Sequence, residues 1–222
     1  MAINAGSTTY YQAKRGIVQD GLVLNLDAGV SQSYDGVGTT WYDLAGSNSG
    51  TLTNGPTFNR DNGGSISFDG SDDYVDVDSV ASVIDTDIFT VQGWGYTTDS
   101  GITRFFAGSN ISNNSPLAYL RTDSAGGTEL GLRGSTPFVS VTGTIVDIDS
   151  WNFLAGVVSG LSSAKIYVNG VLSNTVTTTR NDGTIDTATI GALRRPSASY
   201  NHGKISSAQV YNRALTDEEI LH

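Results

Sequence analysis

Gly64-Ser-Ile-Ser-Phe-Asp-Gly-Ser-Asp-Asp-Tyr-Val-Asp-Val-Asp78 decides the fold class of this chain. Apolar residues alternate with polar ones at Ile66 and Phe68, and again at Val75 and Val77. That period of two predicts two short strands, each with a buried face and a wet face. Between them, Asp69-Gly-Ser-Asp-Asp73 sets small and acidic residues where the backbone must reverse.

The same alternation recurs on both sides of this stretch. Gly21–Asp27 places Leu22, Leu24 and Leu26 on one strand face. Further strands are predicted at 89–96, 104–107, 117–121, 129–133, 139–146, 152–158, 165–168, 171–178, 187–191 and 205–212. Gly, Asn, Asp and Ser separate them, which is the rhythm of a sandwich. Asn169-Gly170 between Val168 and Val171 predicts a two-residue hairpin, because a type I′ turn requires positive φ at both positions. Only the end reads as helix, where Thr216-Asp-Glu-Glu219 fits a capping box. Neither a repeat nor a linker divides the chain. Residues 1–20 read as a polar arm and residues 21–222 as one β-domain.

Composition narrows the function. The 222 residues carry a net charge of −10 with only 12 Lys and Arg, too few cations to neutralise a nucleic acid backbone. With no cysteine, neither a disulfide framework nor a thiolate metal site can form. No run of 18 apolar residues predicts a membrane span, and Met1–Gly6 does not read as the start of a secretory signal. The 27 glycines suit a protein of many tight turns.

Four segments in order resemble the laminin-G-like domains of the concanavalin A-like lectin fold. They are the 64–78 stretch; Phe89-Thr-Val-Gln-Gly-Trp-Gly-Tyr96; Trp151–Val158 with the Tyr167-Val-Asn-Gly170 hairpin; and Ile190-Gly191 with Gly203–Ile220. The resemblance implies an all-β, two-sheet antiparallel jelly-roll sandwich with a short C-terminal helix and with the first and last strands adjacent. Relatives commonly carry an acidic pair after the closing-strand isoleucine, which helps to hold a structural calcium; this chain has Ser206-Ser207 there. The opening Gly21–Gly29 and Trp41–Gly46, taken with Tyr211–Leu215, are also similar to laminin-G-like proteins of tailed-phage virions. That second likeness implies a structural accessory protein on the virion surface, made in the host cytoplasm. Its partners would be the major capsid protein and further copies of itself. The alternative it leaves open is a glycan-binding adhesion module that takes host polysaccharide.

Catalysis is not predicted. A retaining glycosidase needs two carboxyl groups about 5–5.5 Å apart. On one strand of this fold they would come as Glu-x-Asp-x-Glu, and the three glutamates, Glu129, Glu218 and Glu219, do not form that pattern. Asp76 and Asp78 share a face, yet read as solvated residues. His202 and His222 lack a nucleophile nearby in sequence.

Three candidate sites follow. Asp69, Asp72, Asp73 and Asp76 offer oxygens for calcium, with Asp27 approaching from the first strand; otherwise no cofactor is expected. Thr90, Gln92, Trp94 and Tyr96 alternate onto one strand face, where aromatic rings stack on sugar C–H groups and amides bond hydroxyls. Arg104, Tyr119 and Arg121 are expected to flank that groove, with Arg121 as its cation. Tyr10, Tyr11, Lys14 and Arg15 supply aromatic and basic anchors for assembly through the arm.

Overall fold

The computed structural model describes residues 16–99, 101–115, 117–133, 138–177 and 184–220. The assembly anchors Tyr10, Tyr11, Lys14 and Arg15, and His222, lie outside the described residues. In chain order the strands are β1 (Leu22–Asp27), β2 (Thr40–Trp41), β3 (Gly50–Thr53), β4 (Thr57–Asn59), β5 (Ser65–Asp69), β6 (Tyr74–Asp76), β7 (Ile88–Thr97), β8 (Thr103–Ser109) and β9 (Leu117–Thr122). They continue as β10 (Thr128–Arg133), β11 (Phe138–Thr142), β12 (Ser150–Ser159), β13 (Ala164–Val168), β14 (Val171–Val176), β15 (Thr187–Ile190), β16 (Ala192–Leu193), β17 (Ser199–Tyr200) and β18 (His202–Tyr211). Short helices α1 (Ala81–Ile84) and α2 (Asp217–Ile220) follow β6 and β18.

Two eight-stranded antiparallel sheets face one another. Sheet A runs β14-β13-β12-β7-β18-β5-β4, with β1 also on β18. Sheet B runs β11-β10-β9-β8-β15-β6-β3-β2. Leu24, Leu26, Ile66, Phe68, Phe89, Val91, Ile166 and Val168 of sheet A meet Val75, Leu120, Leu130 and Ile190 of sheet B, with Val77 just beyond β6, in one buried core. The predicted jelly-roll is the observed architecture, and Leu22–Asp27 lies beside Ser207–Tyr211 as expected.

The two strands around the acidic turn join different sheets: β5 belongs to sheet A and β6 to sheet B. The reversal carries the chain across the core, so Phe68 and Val75 enter the same interior from opposite sides. Side chains replace ladder bonds there, with the Asp69 N–H donating to Asp73 Oδ2 at 3.0 Å and the Ser71 N–H to Asp69 Oδ1 at 2.8 Å. Leu22, expected in the core with Leu24 and Leu26, is only half-buried. A register shift between Leu22 and Leu24 rotates it to the outer face of sheet A. Asn169 and Gly170 have φ of 50° and 81°, as the hairpin between β13 and β14 requires.

A second apolar cluster on the outer face of sheet A holds the C-terminal segment. Leu215 and Ile220 pack on Phe153, Ala155, Val157, Tyr167 and Tyr211, with Val18 against them. Asp217 accepts hydrogen bonds from Lys165 Nζ at 2.7 Å and from the Tyr167 hydroxyl at 2.6 Å. The predicted capping box is present: the Thr216 N–H donates to Glu219 Oε2 at 2.9 Å, and the Glu219 N–H returns to Thr216 Oγ1 at 3.3 Å. Arg213 forks onto Glu219 at 2.8 and 2.6 Å and reaches the Asp20 carboxylate at 2.9 Å. Val18 and Asp20, placed in the arm by the sequence, therefore contact the body.

This arrangement gives a pH prediction. Hydrogen bonds from Arg213, then that from the Thr216 backbone, pull the Glu219 carboxyl from 4.5 down to about 2. A carboxylate depressed on folding contributes stability that is complete above its unfolded value and is lost as pH falls through its folded one. The contribution should therefore fade between about pH 4.5 and pH 2. Glu219→Gln is expected to lower the melting temperature at pH 7 and to flatten the acid limb across that window. Parallel acid limbs for both proteins would contradict it.

Candidate functional site

The strand face predicted for sugars exists, on the outside of sheet A. Its β7 residues lie between β18 and β12, where Gln92 faces Gln209 and Ala155 while Trp94 faces Ser207 and Phe153. Thr90 is buried and closes one end by donating to the Arg213 carbonyl at 2.8 Å. Trp94 stands 45 % exposed in mid-strand, with its ring 5.7 Å from that of Phe153. Tyr96 is half-buried, edge-on to Trp151 at 5.6 Å, with the Lys204 ammonium 5.3 Å from its ring centre. Next to Trp94, Gln209 Nε2 donates to Asn25 Oδ1 at 3.2 Å, and the buried Gln92 leaves its Oε1 without a partner among the described residues. The Gln92, Gln209 and Asn25 amides are themselves buried, so the exposed indole is the group that this face offers to a pyranose ring.

Arg121, Arg104 and Tyr119 do not flank this face. They lie on the outside of sheet B, across the whole thickness of the sandwich. Alternation within each strand identifies which residues share a face, but not which of two sheets a strand joins. On β9 and β10, Glu129 faces Arg121 and accepts from its guanidinium at 2.6 and 2.8 Å. Glu129 also accepts the Tyr119 hydroxyl at 3.0 Å and the Ser140 hydroxyl at 2.5 Å. Burial, then the Glu129 charge, raises the Tyr119 phenol well above its ordinary value. The sequence reading overlooked Glu129 and Ser140 as site residues. The signal available was the Tyr119-x-Arg121 and Glu129-x-Gly131 alternation across a short turn.

The four aspartates proposed for calcium separate. Asp69, Asp72 and Asp73 place carboxylate oxygens within 4.8 Å of one another, and Asp73 is buried. Desolvation, with Asp69 and Asp72 adding to it, raises the Asp73 carboxyl above its ordinary value. Asp76 is not among them. It lies on sheet B, where it and Asp78 hold Arg194 at 2.9 and 3.2 Å beside the Tyr74 ring. The two carboxylates considered for catalysis thus share one guanidinium. Asp27 is also engaged elsewhere, its Oδ1 taking the Gly29 N–H at 2.8 Å.

The calcium site implied by the fold family does not fit the residues at the closing strand. Ser206 is the bulged residue between Ile205 and Ser207, and its hydroxyl donates to the Gly64 carbonyl at 2.8 Å. A serine hydroxyl already committed to a backbone carbonyl supplies no charge to a hard cation. Titration with calcium is expected to leave the melting temperature flat. A rise produced by calcium, not by magnesium, and removed by Asp72→Asn would instead assign an ion to the acidic turn.

Comparison with known proteins agrees with this architecture. No curated protein matches the sequence. The CBM40 of an IT-sialidase from Ruminococcus gnavus, bound to α2,3-sialyllactose, is 19 % identical with a TM-score of 0.62, over 71 % of this chain and 94 % of that one. Domain 4 of AbnA, an extracellular arabinanase from Geobacillus stearothermophilus in complex with arabinotriose, is 18 % identical with a TM-score of 0.65, over 90 % and 96 %. A Trypanosoma rangeli sialidase is 16 % identical with a TM-score of 0.65, over 95 % of this chain and 34 % of its own. The profile of the concanavalin A-like lectin/glucanases superfamily matches residues 69–221. From β6 to the terminal helix, this chain belongs to the laminin-G branch of that superfamily.

Proposed function

We infer that this chain is a non-catalytic glycan-binding module that uses the outer face of sheet A. The observation that carries this reading is Trp94, an indole left open to solvent in mid-sheet beside the Gln92, Gln209 and Asn25 amides. The folds of a sialyllactose-bound and an arabinotriose-bound domain support it. Against hydrolysis stand the engagement of Asp76 and Asp78 by Arg194 and that of Glu129 by Arg121.

A glycan array that includes arabinan fragments, sialyllactose and bacterial surface polysaccharides tests the reading. Hits are then titrated by calorimetry. Trp94→Ala should weaken binding by about tenfold or more, as expected for a central aromatic contact, without lowering the melting temperature. No reducing ends should appear above blank. Binding indifferent to Trp94→Ala would remove this face from the function.

The virion setting suggested by the opening and closing segments is the second reading. The outer strand of sheet A supports it: β14 ends the sheet, with Val171 and Leu172 exposed. Such an edge is a template for docking on a shell protein or on another copy. Binding of the purified protein to capsids that lack it, abolished by deleting residues 1–20, is the expected result. Full-length protein that ignores shells and binds cells would leave the adhesion role alone.

A further inference from the structure

Sheet B carries an electrostatic arrangement that folding alone does not reward. Arg104 and Arg121 are directly opposite on β8 and β9, on the same face. Like charges in that position destabilise a sheet. A bulge at Phe105 creates the pairing: it sends both Phe105 and Phe106 into the core and turns Arg104 outward. Bulges that re-aim one side chain recur beside binding sites.

The neutralisation is incomplete. Glu129 is committed to Arg121, Tyr119 and Ser140. Arg104 is 4 % exposed and makes no ion pair among the described residues. One of its nitrogens donates to the Ser199 carbonyl at 3.3 Å, and its Nε has no partner. Asn201 uses its Oδ1 on the Arg104 backbone N–H and leaves its own Nδ2 unpartnered. Burial, then the Arg121 charge, lowers the Arg104 guanidinium from 12.5 to about 10. Two buried donors without acceptors therefore belong to Arg104 and the side chain bonded to its backbone, in a protein whose net charge is −10. Alongside, Ala107, Leu117 and Leu193 form a small buried cluster that fixes the half-buried Tyr119 packed against it.

We propose that the outer face of sheet B is a second binding site, which takes an acidic sugar through its carboxylate. The carboxylate enters beside the exposed edge of Arg121, above the uncompensated charge of Arg104. A planar carboxylate matches the guanidinium fork in a way that a neutral hydroxyl does not. The sugar's hydroxyls meet Tyr119 and Ser140. This site is independent of the Trp94 face and accounts for Arg121, which that face does not use.

Calorimetry with galacturonate and glucuronate oligosaccharides tests it, against their carboxyl-reduced neutral counterparts and a sulfated neutral sugar. Uronate binding should weaken as salt rises. It should fall about tenfold or more on carboxyl reduction, and again in Arg104→Met, the scale of a charged hydrogen bond. The sulfated sugar should bind more weakly than the uronate. In the same Arg104→Met variant the melting temperature should hold or rise, because an unpaired buried charge is removed. A purely structural arginine would behave oppositely. A fall in melting temperature with uronate binding retained, or equal binding of uronate and its reduced form, overturns the proposal. If neutral glycans bind through Trp94 and no uronate binds at all, this proposal fails and the glycan-binding reading stands.

Discussion

Replacing Phe68 with alanine is expected to lower stability by about 3–5 kcal/mol, the cost of removing a buried phenyl ring and leaving a cavity behind. Phe68 is almost fully buried on β5, at the start of the crossing turn. Its ring fills the space beside Gly191, where an added Cβ would lie 2.4 Å from a ring carbon. Gly191 has a φ of 84°, so its backbone conformation resists any side chain that might move in to fill the void. Neighbouring elements are equally fixed: β5 is held by four pairings to β18, and β6 is clamped between β15 and β3. The cavity should therefore persist, which places the cost at the upper part of the range. In a chain of this size it corresponds to a fall in melting temperature of roughly 6–20 °C. Scanning calorimetry measures it, and a loss below about 1.5 kcal/mol would mean that the two sheets close over the gap.

Phe68 also shows how far the sequence could be read. Its alternation with Ile66 marks a strand with one buried face, and both residues are buried. Nothing in that alternation says that the following turn changes sheet, because a crossing turn and a hairpin use the same small and acidic residues. The same ambiguity separates the candidate site. Gln92, Trp94 and Tyr96 share a face because they share a strand, and period two guarantees that much. Arg121 was grouped with them on chemistry, and the sheet order puts it on the opposite side of the molecule. Bulges are the other hidden variable. Those at Val23, Phe105 and Ser206 shift which residues face inward, and those at Val23 and Ser206 depend on partner strands distant in sequence.

A larger disruption is expected from Gly93→Val. Gly93 is in the middle of β7, paired to Leu154 on one side and Ala208 on the other. An added Cβ would lie 2.3 Å from the Ser207 carbonyl oxygen and 3.4 Å from the Ala208 Cα. These are backbone atoms in the centre of a sheet, and they cannot rotate away as a side chain can. Relief requires β7 and β18 to part, which breaks ladder bonds whose groups are then buried without partners. Overpacking costs about 1–3 kcal/mol when side chains can adjust, and more when they cannot. Alanine at this position should reach the top of that range, and valine should leave little folded protein at 37 °C. Gly46→Ala is the control, since its Cβ would meet only the Asp43 carboxylate at an ordinary 3.5 Å. Near-wild-type melting of Gly93→Val would show that the two central strands can separate without penalty.

The placement of β18 governs how the chain is made. It is the last strand in order, yet it occupies the middle of sheet A, with β7 on one side and both β5 and β1 on the other. β1 has no other strand partner among the described residues, and the Asn25–Gln209 hydrogen bond joins positions 184 residues apart. At ribosomal rates of about 5–20 residues per second, that separation leaves the first strand unpaired for roughly 10–40 s. During that interval the nascent chain presents the bare edge of β1, and then those of β5 and β7 as they emerge, to its surroundings. Closure of the sandwich therefore waits for β18, and the yield of folded protein depends on what protects those edges until that strand arrives.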